Sequence, residues 1–307
     1  ARDYIQEALE DFSVDIHFIA GGTLTNLTFI SHILKPFEAV ISAETGHINT
    51  HETGAIEATG HKVCPILTKD GKLTPDLIRP VLDMHENEHW VDPRLVYVSN
   101  PTEVGTVYTK EELEDLYAFC KRHDLYFYID GARLAAALAA KEETHLTFPD
   151  LPKLCDAFYI GGTKVGAMFG EALVLVNDNF KERFRFNMKQ KGAILAKGWF
   201  LGVQFEELFK NNLYIEAGAH SIAMMKPIKE AFEKAGIPLL CEAPTNQIFP
   251  IFPDALAEEI NKKYLTTFQC KPDKKHTCLR FCTSWATNEN AVKDFVADFE
   301  EMCNRLL

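Results

Sequence analysis

The chain has 307 residues, 47% of them hydrophobic and 25% charged, an ordinary globular composition with enough apolar material for two domains. Its 32 basic and 44 acidic side chains leave a formal net charge of -12, and the densest basic run, Lys271 to His276, is interrupted by Asp273, so nucleic-acid binding is excluded. No stretch has the apolar length to span a bilayer and no signal peptide opens the chain, which predicts a cytoplasmic protein with no membrane contact.

The first residue is not Met, and Ala1 to Phe12 reads as mid-helix, so some natural N-terminal sequence is expected to be missing. Residues Val14 to Ala20 read as a strand, and Gly21-Gly22-Thr23 turns directly into a helix reaching about Leu34. Strand, glycine turn and helix start together form a phosphate cradle. Glycine lets the backbone approach an oxyanion, the free amides of the first helical turn point at it, and the Thr23 hydroxyl adds a donor. Without G-K-[ST] it is no P-loop, and the Rossmann spacing is absent, which removes a nicotinamide dehydrogenase from consideration.

A short strand, Ala39 to Ser42, precedes a loop and helix containing His47 and His51-Glu52. H-E-x-x-H needs a second histidine where Ala55 stands, so no metal is expected. His47 reads either as a flat ring for stacking on a flat ligand or as a plain loop histidine. Val63 to Leu67 and Leu95 to Ser99 are predicted strands around a helix from Pro75 to Glu88. Asn100 to Gly105 is a turn, and Lys110 to His123 an amphipathic helix.

Tyr128-Ile-Asp130-Gly-Ala-Arg133 and Tyr159-Ile-Gly-Gly-Thr-Lys164 follow, with a helix from Gly131 to about Lys141 between them. Each begins as a buried parallel strand and ends on a polar residue, at the strand end where open α/β sheets bind ligands. Asp130 alone reads as a helix cap and Lys164 alone as a solvated surface residue. Together they offer an amine that forms an imine with an aldehyde and a buried carboxyl of the kind the ring nitrogen of pyridoxal phosphate needs.

A strand at Ala172 to Val176, a helix at Asn179 to Lys189 and a loop at Lys191 to Gly198 come next, then helices at Trp199 to Lys210 and Tyr214 to Ala235. From Ala243 the pattern becomes a strand (Asn246 to Ile251), a helix (Asp254 to Tyr264), paired strands (Thr266 to Cys270, Cys278 to Thr283) and a final helix (Glu289 to Leu306). The expected division is a large cofactor-binding domain over 1–210 and a smaller α+β domain over 211–307. The eight cysteines include no C-x-x-C and read as reduced core thiols. Arg280 lies inside the apolar run Cys278 to Cys282; its guanidinium suits a carboxylate, although the solvent face of an alternating strand would also accommodate it.

Gly-Gly-Thr-x-x-Asn26, His47 with Glu52-x-Gly-Ala55, Asp130-Gly-Ala-Arg133, Gly-Gly-Thr-Lys164 and Leu279-Arg-Phe-Cys-Thr-Ser-Trp285 stand in the order found in the threonine aldolase and β-eliminating lyase family. The chain resembles that family from about Phe12 to its end. The resemblance implies an α/β fold of type I, with a mostly parallel sheet flanked by helices, and pyridoxal 5'-phosphate as cofactor. It implies Lys164 as the cofactor lysine, Asp130 as partner of the pyridine nitrogen, Gly22 and Thr23 at the phosphate and His47 stacked on the ring. Arg133 and Arg280 would hold the substrate carboxylate. It also implies a homodimer or homotetramer with the site at the subunit interface, where Lys197 of the partner subunit reaches the phosphate.

One departure matters. Aldolases of that family usually carry Glu-Asn-Thr-His at the turn where this chain reads Ser99-Asn-Pro-Thr102-Glu103. The β-hydroxyl proton is left to Thr102, Glu103, His47 or water, with His47 the favoured acceptor because imidazole titrates near neutrality. The expected activity is cleavage of β-hydroxy-α-amino acids such as L-threonine or L-allo-threonine to glycine and an aldehyde. The alternatives are β-elimination releasing ammonia and a catalytically silent cofactor binder, and the intact lysine, aspartate and arginines oppose the latter.

Overall fold

The computed structural model describes residues 1–306. Helix α1 (Arg2–Leu9) leads into β1 (Asp15–Ile19), α2 (Gly22–Ile33), β2 (Glu38–Ala43), the single turn α3 (His47–Thr50) and β3 (Val63–Ile66). Then come α4 (Pro75–Met84), β4 (Asp92–Ser99), α5 (Lys110–Arg122), β5 (Tyr126–Asp130) and α6 (Leu134–Ala139). Two short turns, α7 (Lys141–Thr144) and α8 (Leu151–Leu154), precede β6 (Ala157–Gly161) and β7 (Glu171–Leu175).

These seven strands form one sheet in the order β1-β7-β6-β5-β4-β2-β3, in which only β7 runs against the rest. Helices cover both faces, so β2, β6 and β7 are buried at every position and read as continuous apolar runs. The chain passes from β2 outward to β3, then crosses back to β4 and proceeds the other way to β5 and β6. That reversal places a crevice at the carboxyl ends of β2, β4 and β5, the position where doubly wound sheets take ligands. Local signals set the helix starts around it: Thr74 caps α4 with Pro75 at the first position, and Thr109 and Glu112 make a reciprocal capping box for α5.

Helices α9 (Phe184–Gln190), α10 (Trp199–Lys210) and α11 (Leu213–Lys234) lead to the second sheet. It consists of β8 (Gln247–Ile248), β9 (Ile251–Pro253), β10 (Thr267–Cys270) and β11 (His276–Cys282), with α12 (Asp254–Lys263) and α13 (Glu289–Leu306) packed beside it. Every pairing in this sheet is antiparallel, and Phe232, Phe252, Leu279, Phe295 and Phe299 fill its own core. Near its start α11 lies so close to α6 that a Cβ at Gly218 would stand 2.3 Å from the Ala135 carbonyl oxygen. Farther along, Met225 and Phe232 enter the second core, so α11 ties the two sheets together.

Several expected boundaries shift. The strand expected at Asn246 to Ile251 is broken into β8 and β9, because Pro250 has no N–H to give to a ladder. The helix expected from Gly131 begins only at Leu134, since the Ala132 amide is held by Asp130 Oδ1 at 3.0 Å. The helix expected at Asn179 starts at Phe184, after Arg183 in the left-handed region at φ 57°. All eight cysteines are free, but they are not all core thiols: Cys64, Cys120, Cys155 and Cys278 are buried, whereas Cys282 is exposed at the end of β11.

Candidate active site

The crevice collects one polar group from the end of each central strand. Asp130, the last residue of β5, is 2% exposed and accepts three hydrogen bonds. Its Oδ2 receives Tyr97 Oη at 2.6 Å and Asn26 Nδ2 at 3.1 Å, and its Oδ1 receives the Ala132 amide. Asn26 Nδ2 also donates to Glu52 Oε1 at 2.8 Å, and the same oxygen takes His47 Nδ1 at 2.8 Å. Glu103 Oε1 accepts the His47 backbone amide at 2.8 Å and Ser99 Oγ at 2.6 Å, and Ser99 Oγ lies 3.2 Å from Tyr97 Oη. The bonds close a ring through Asp130, Asn26, Glu52, His47, Glu103, Ser99 and Tyr97. Such a connected network fixes its members at the crevice floor, while Glu52 Oε2 stays sealed there without a partner.

Lys164 stands just past β6, on a turn built from its own backbone. The amides of Gly162 and Thr163 both reach the Gly170 carbonyl at 3.1 Å, Gly170 N donates to Thr163 Oγ1 at 3.0 Å, and Gly162 N reaches Glu171 Oε2 at 2.9 Å. The side chain meets the solvent of the cleft but lies deep in the protein body. Burial and the Arg133 charge lower its pKa, against the opposing pull of Asp130, Glu171 and Glu103. Burial likewise pushes Glu171 up to about 7. His47 shifts the other way: its hydrogen bond to Glu52 raises its pKa against the opposing effect of burial.

Glycines allow the strand ends to meet here. A Cβ on Gly131 would stand 2.0 Å from the Tyr159 carbonyl oxygen, whereas nothing lies within 4 Å of a Cβ on Gly21. Helix α2 opens beside that free space with no side-chain cap, and Thr23 is exposed with its hydroxyl unengaged. Its first-turn amides are therefore available to an anion.

Cationic groups close the cleft from two directions. Arg133 follows β5, and its Nη2 lies 4.0 Å from Cys282 Sγ at the end of β11; Arg280, on the same strand, is half-buried. Among the described residues, Lys164, Arg133 and Arg280 pair with no carboxylate, and Arg280 Nε is sealed from solvent without a partner. Arg133, Lys164, Ser221 and Asn246 line a narrow cavity between α6, α11 and the second sheet.

The structure thus gathers Asp130, His47, Lys164 and Arg133 around one cleft, with Arg280 close enough for its charge to act on His51 beside His47. Gly22 and Thr23 begin α2, the helix whose Asn26 binds Asp130. Lys197 is not brought in; it lies on the exposed turn before α10, between two residues lining a separate groove of about 660 Å³. Sequence reading left Tyr97 and Ser99 out of the site. Their signal was present, for they share one face of β4, whose register sets Ser99 against Asp130.

A seven-stranded, mostly parallel sheet with an acid and an amine at adjacent strand ends defines a fold type I pyridoxal-phosphate enzyme. The solved histidinol-phosphate aminotransferase of Clostridium acetobutylicum shares this fold at TM-score 0.73 and 14% identity, over 99% of this chain and 88% of that one. The family described as beta-eliminating lyase matches residues 3–253, and the chain belongs to it. A solved threonine aldolase of Leishmania major is 49% identical with TM-score 0.96, covering 98% of this chain and 87% of its own. A low specificity L-threonine aldolase of Pseudomonas sp. (strain NCIMB 10558) is 29% identical over 97% of this chain and 86% of its own length.

Proposed function

We propose that this chain is a pyridoxal 5'-phosphate-dependent lyase that cleaves the Cα–Cβ bond of β-hydroxy-α-amino acids, L-threonine or L-allo-threonine, to glycine and an aldehyde. The observation that supports it best is the placing of buried Asp130 and Lys164 at neighbouring strand ends, beside two arginines that have no acidic partner among the described residues. The aldolases named above, similar over nearly the whole chain, support the same reading.

The residues suit the cofactor. The uncapped amides at Gly22 and Thr23 and the Thr23 hydroxyl fit a phosphate, Asp130 fits a ring nitrogen, His47 offers a flat face and Lys164 an amine. Bound there, the cofactor supplies an electron sink for negative charge at the substrate's Cα.

Everything else falls to the chain. Arg133 and Arg280 would hold the α-carboxylate by forked contacts and so fix which Cα bond is presented for cleavage. Lys164, its pKa lowered by burial, carries more neutral amine near pH 7 than a surface lysine and can exchange a proton with Cα. His47, its ring fixed by the Glu52 bond that also raises its pKa, presents a held flat face to the cleft. Residues 1–210 would form the cofactor-binding domain and 211–307 the small one. Exposed Trp199 and Val203, at 66% and 50%, line one groove with Ala196 and Gly198, the neighbours of Lys197, which supports a homodimer or homotetramer in which Lys197 of the partner subunit completes the phosphate site.

The test is a product assay on the purified, cofactor-loaded protein. Glycine and acetaldehyde in equal amounts from L-threonine or its allo isomer support the aldol reading. Ammonia from substrates bearing a β leaving group, with no glycine from any β-hydroxy amino acid, replaces it with β-elimination.

A further inference from the structure

Which group receives the proton of the substrate's β-hydroxyl depends on what each nearby side chain is already committed to. Thr102 is 1% exposed, and its Oγ1 lies 2.7 Å from Thr106 Oγ1, so it is spent. His47 gives Nδ1–H to Glu52, and that bond raises its pKa, so one ring nitrogen is already committed. The acceptor expected from sequence keeps only its Nε2 for the task.

Glu103 is placed differently. The two bonds to its Oε1 fix the plane of the carboxyl group, while Oε2 has no partner among the described residues and is not sealed from solvent. Ser99, which donates to it, stands beside Asp130 in the sheet, and His47, whose amide it accepts, binds the Glu52 that shares Asn26 with Asp130, so the carboxyl sits in the network at the crevice floor. Burial raises its pKa from 4.5, Asp130 adds to the rise and the Ser99 bond opposes it, which makes it a better proton acceptor than a surface carboxylate. The titratable groups around it are Asp130 on β5, Tyr97 on β4, His47 on α3, Tyr108 past the turn and Lys164 past β6.

Resting on the aldol reading, we propose that Glu103 is a catalytic residue whose free oxygen Oε2 accepts the β-hydroxyl proton. The O–H bond breaks and its electron pair becomes the second C–O bond of the aldehyde. The Cα–Cβ pair stays on the glycine carbon, which takes a proton from the ammonium form of Lys164; Glu103 then releases its proton to solvent and Lys164 regains one from it. His51 is the rival. Its ring stacks on His47 with centroids 5.4 Å apart, and burial together with the charges of His47, Arg280 and Lys164 lowers its pKa.

The experiment compares Glu103→Gln and His51→Phe in the cofactor-loaded enzyme. Glutamine still accepts both Oε1 bonds, so the turn is kept. In Glu103→Gln the kcat for threonine cleavage falls by about 100-fold or more, the scale of a lost general base, and the acid limb of its pH profile disappears. Calorimetric binding of glycine and exchange of its α-proton with deuterated solvent, neither of which needs a β-hydroxyl acceptor, stay near wild type. His51→Phe keeps cleavage. Near-normal cleavage in Glu103→Gln overturns the proposal, and so does parallel loss of cleavage, glycine binding and exchange, which marks a structural role. Loss of cleavage alone in His51→Phe transfers the role to that histidine. A wild-type enzyme that exchanges the glycine proton yet cleaves no β-hydroxy amino acid fails at the aldol reading itself, and the proposal falls with it.

Discussion

Replacing Arg280 separates function from stability in one residue. Its guanidinium is half-buried on β11, Nε is sealed without a partner, and among the described residues no carboxylate pairs with it. A charge kept in this state contributes little to folding, and a sealed unpaired donor costs about 1–3 kcal/mol. Arg280→Met keeps an apolar stem of similar length, so the folded state loses that cost and Tm holds or rises by a few degrees. Activity goes the other way. A forked, charged contact to a carboxylate is worth about 2–5 kcal/mol, which at 1.4 kcal/mol per decade is roughly 30-fold to 4000-fold in kcat/KM for threonine. Arg280→Lys recovers only part of this, because an ammonium has no fork. The assays are steady-state cleavage and a thermal melt on the same preparations. A Tm several degrees lower with unchanged KM and kcat would refute the reasoning and make Arg280 a structural residue.

Four further outcomes are expected. Borohydride treatment of the cofactor-loaded protein attaches the cofactor covalently at Lys164, and mapping the adduct to another lysine removes that assignment. Asp130→Asn retains cofactor in its absorbance spectrum but turns over orders of magnitude more slowly, because a neutral amide does not keep the ring nitrogen protonated; wild-type rates would show that this carboxyl is not needed. Glu171, raised from 4.5 to about 7, binds its proton more tightly when folded, so its contribution is full below pH 4.5 and is lost as pH rises through 7. That window spans on the order of 3 kcal/mol, and urea melts from pH 5 to 8 should show a slope that Glu171→Gln flattens. Gly131→Ala drives a Cβ against the Tyr159 carbonyl and should cost more than about 3 kcal/mol or prevent folding, as read by expression and urea melts; a mutant of unchanged stability would show that the strand ends separate freely.

The motifs at Gly21, Asp130 and Lys164 were legible because each is local: an apolar run, a glycine turn and one polar residue within about six positions. Helix and strand order followed in the same way from periods of 3.6 and 2, and so did the chemistry of amine, carboxyl and anion cradle. Tertiary structure decided what each group is committed to. Asp130 is held by Asn26, 104 residues away, and by Tyr97, 33 away; Arg133 meets Cys282 across 149. No local pattern encodes such pairs, because they arise when strands from separate parts of the chain lie edge to edge and a second sheet is brought up by α11. The antiparallel run of β7 and the break at Pro250 belong partly to this class, since a buried strand reads alike in either direction. The occupied nitrogen of His47 and the free oxygen of Glu103 belong to it wholly, for a hydrogen bond depends on where two atoms lie in the folded chain and not on the identity of either residue.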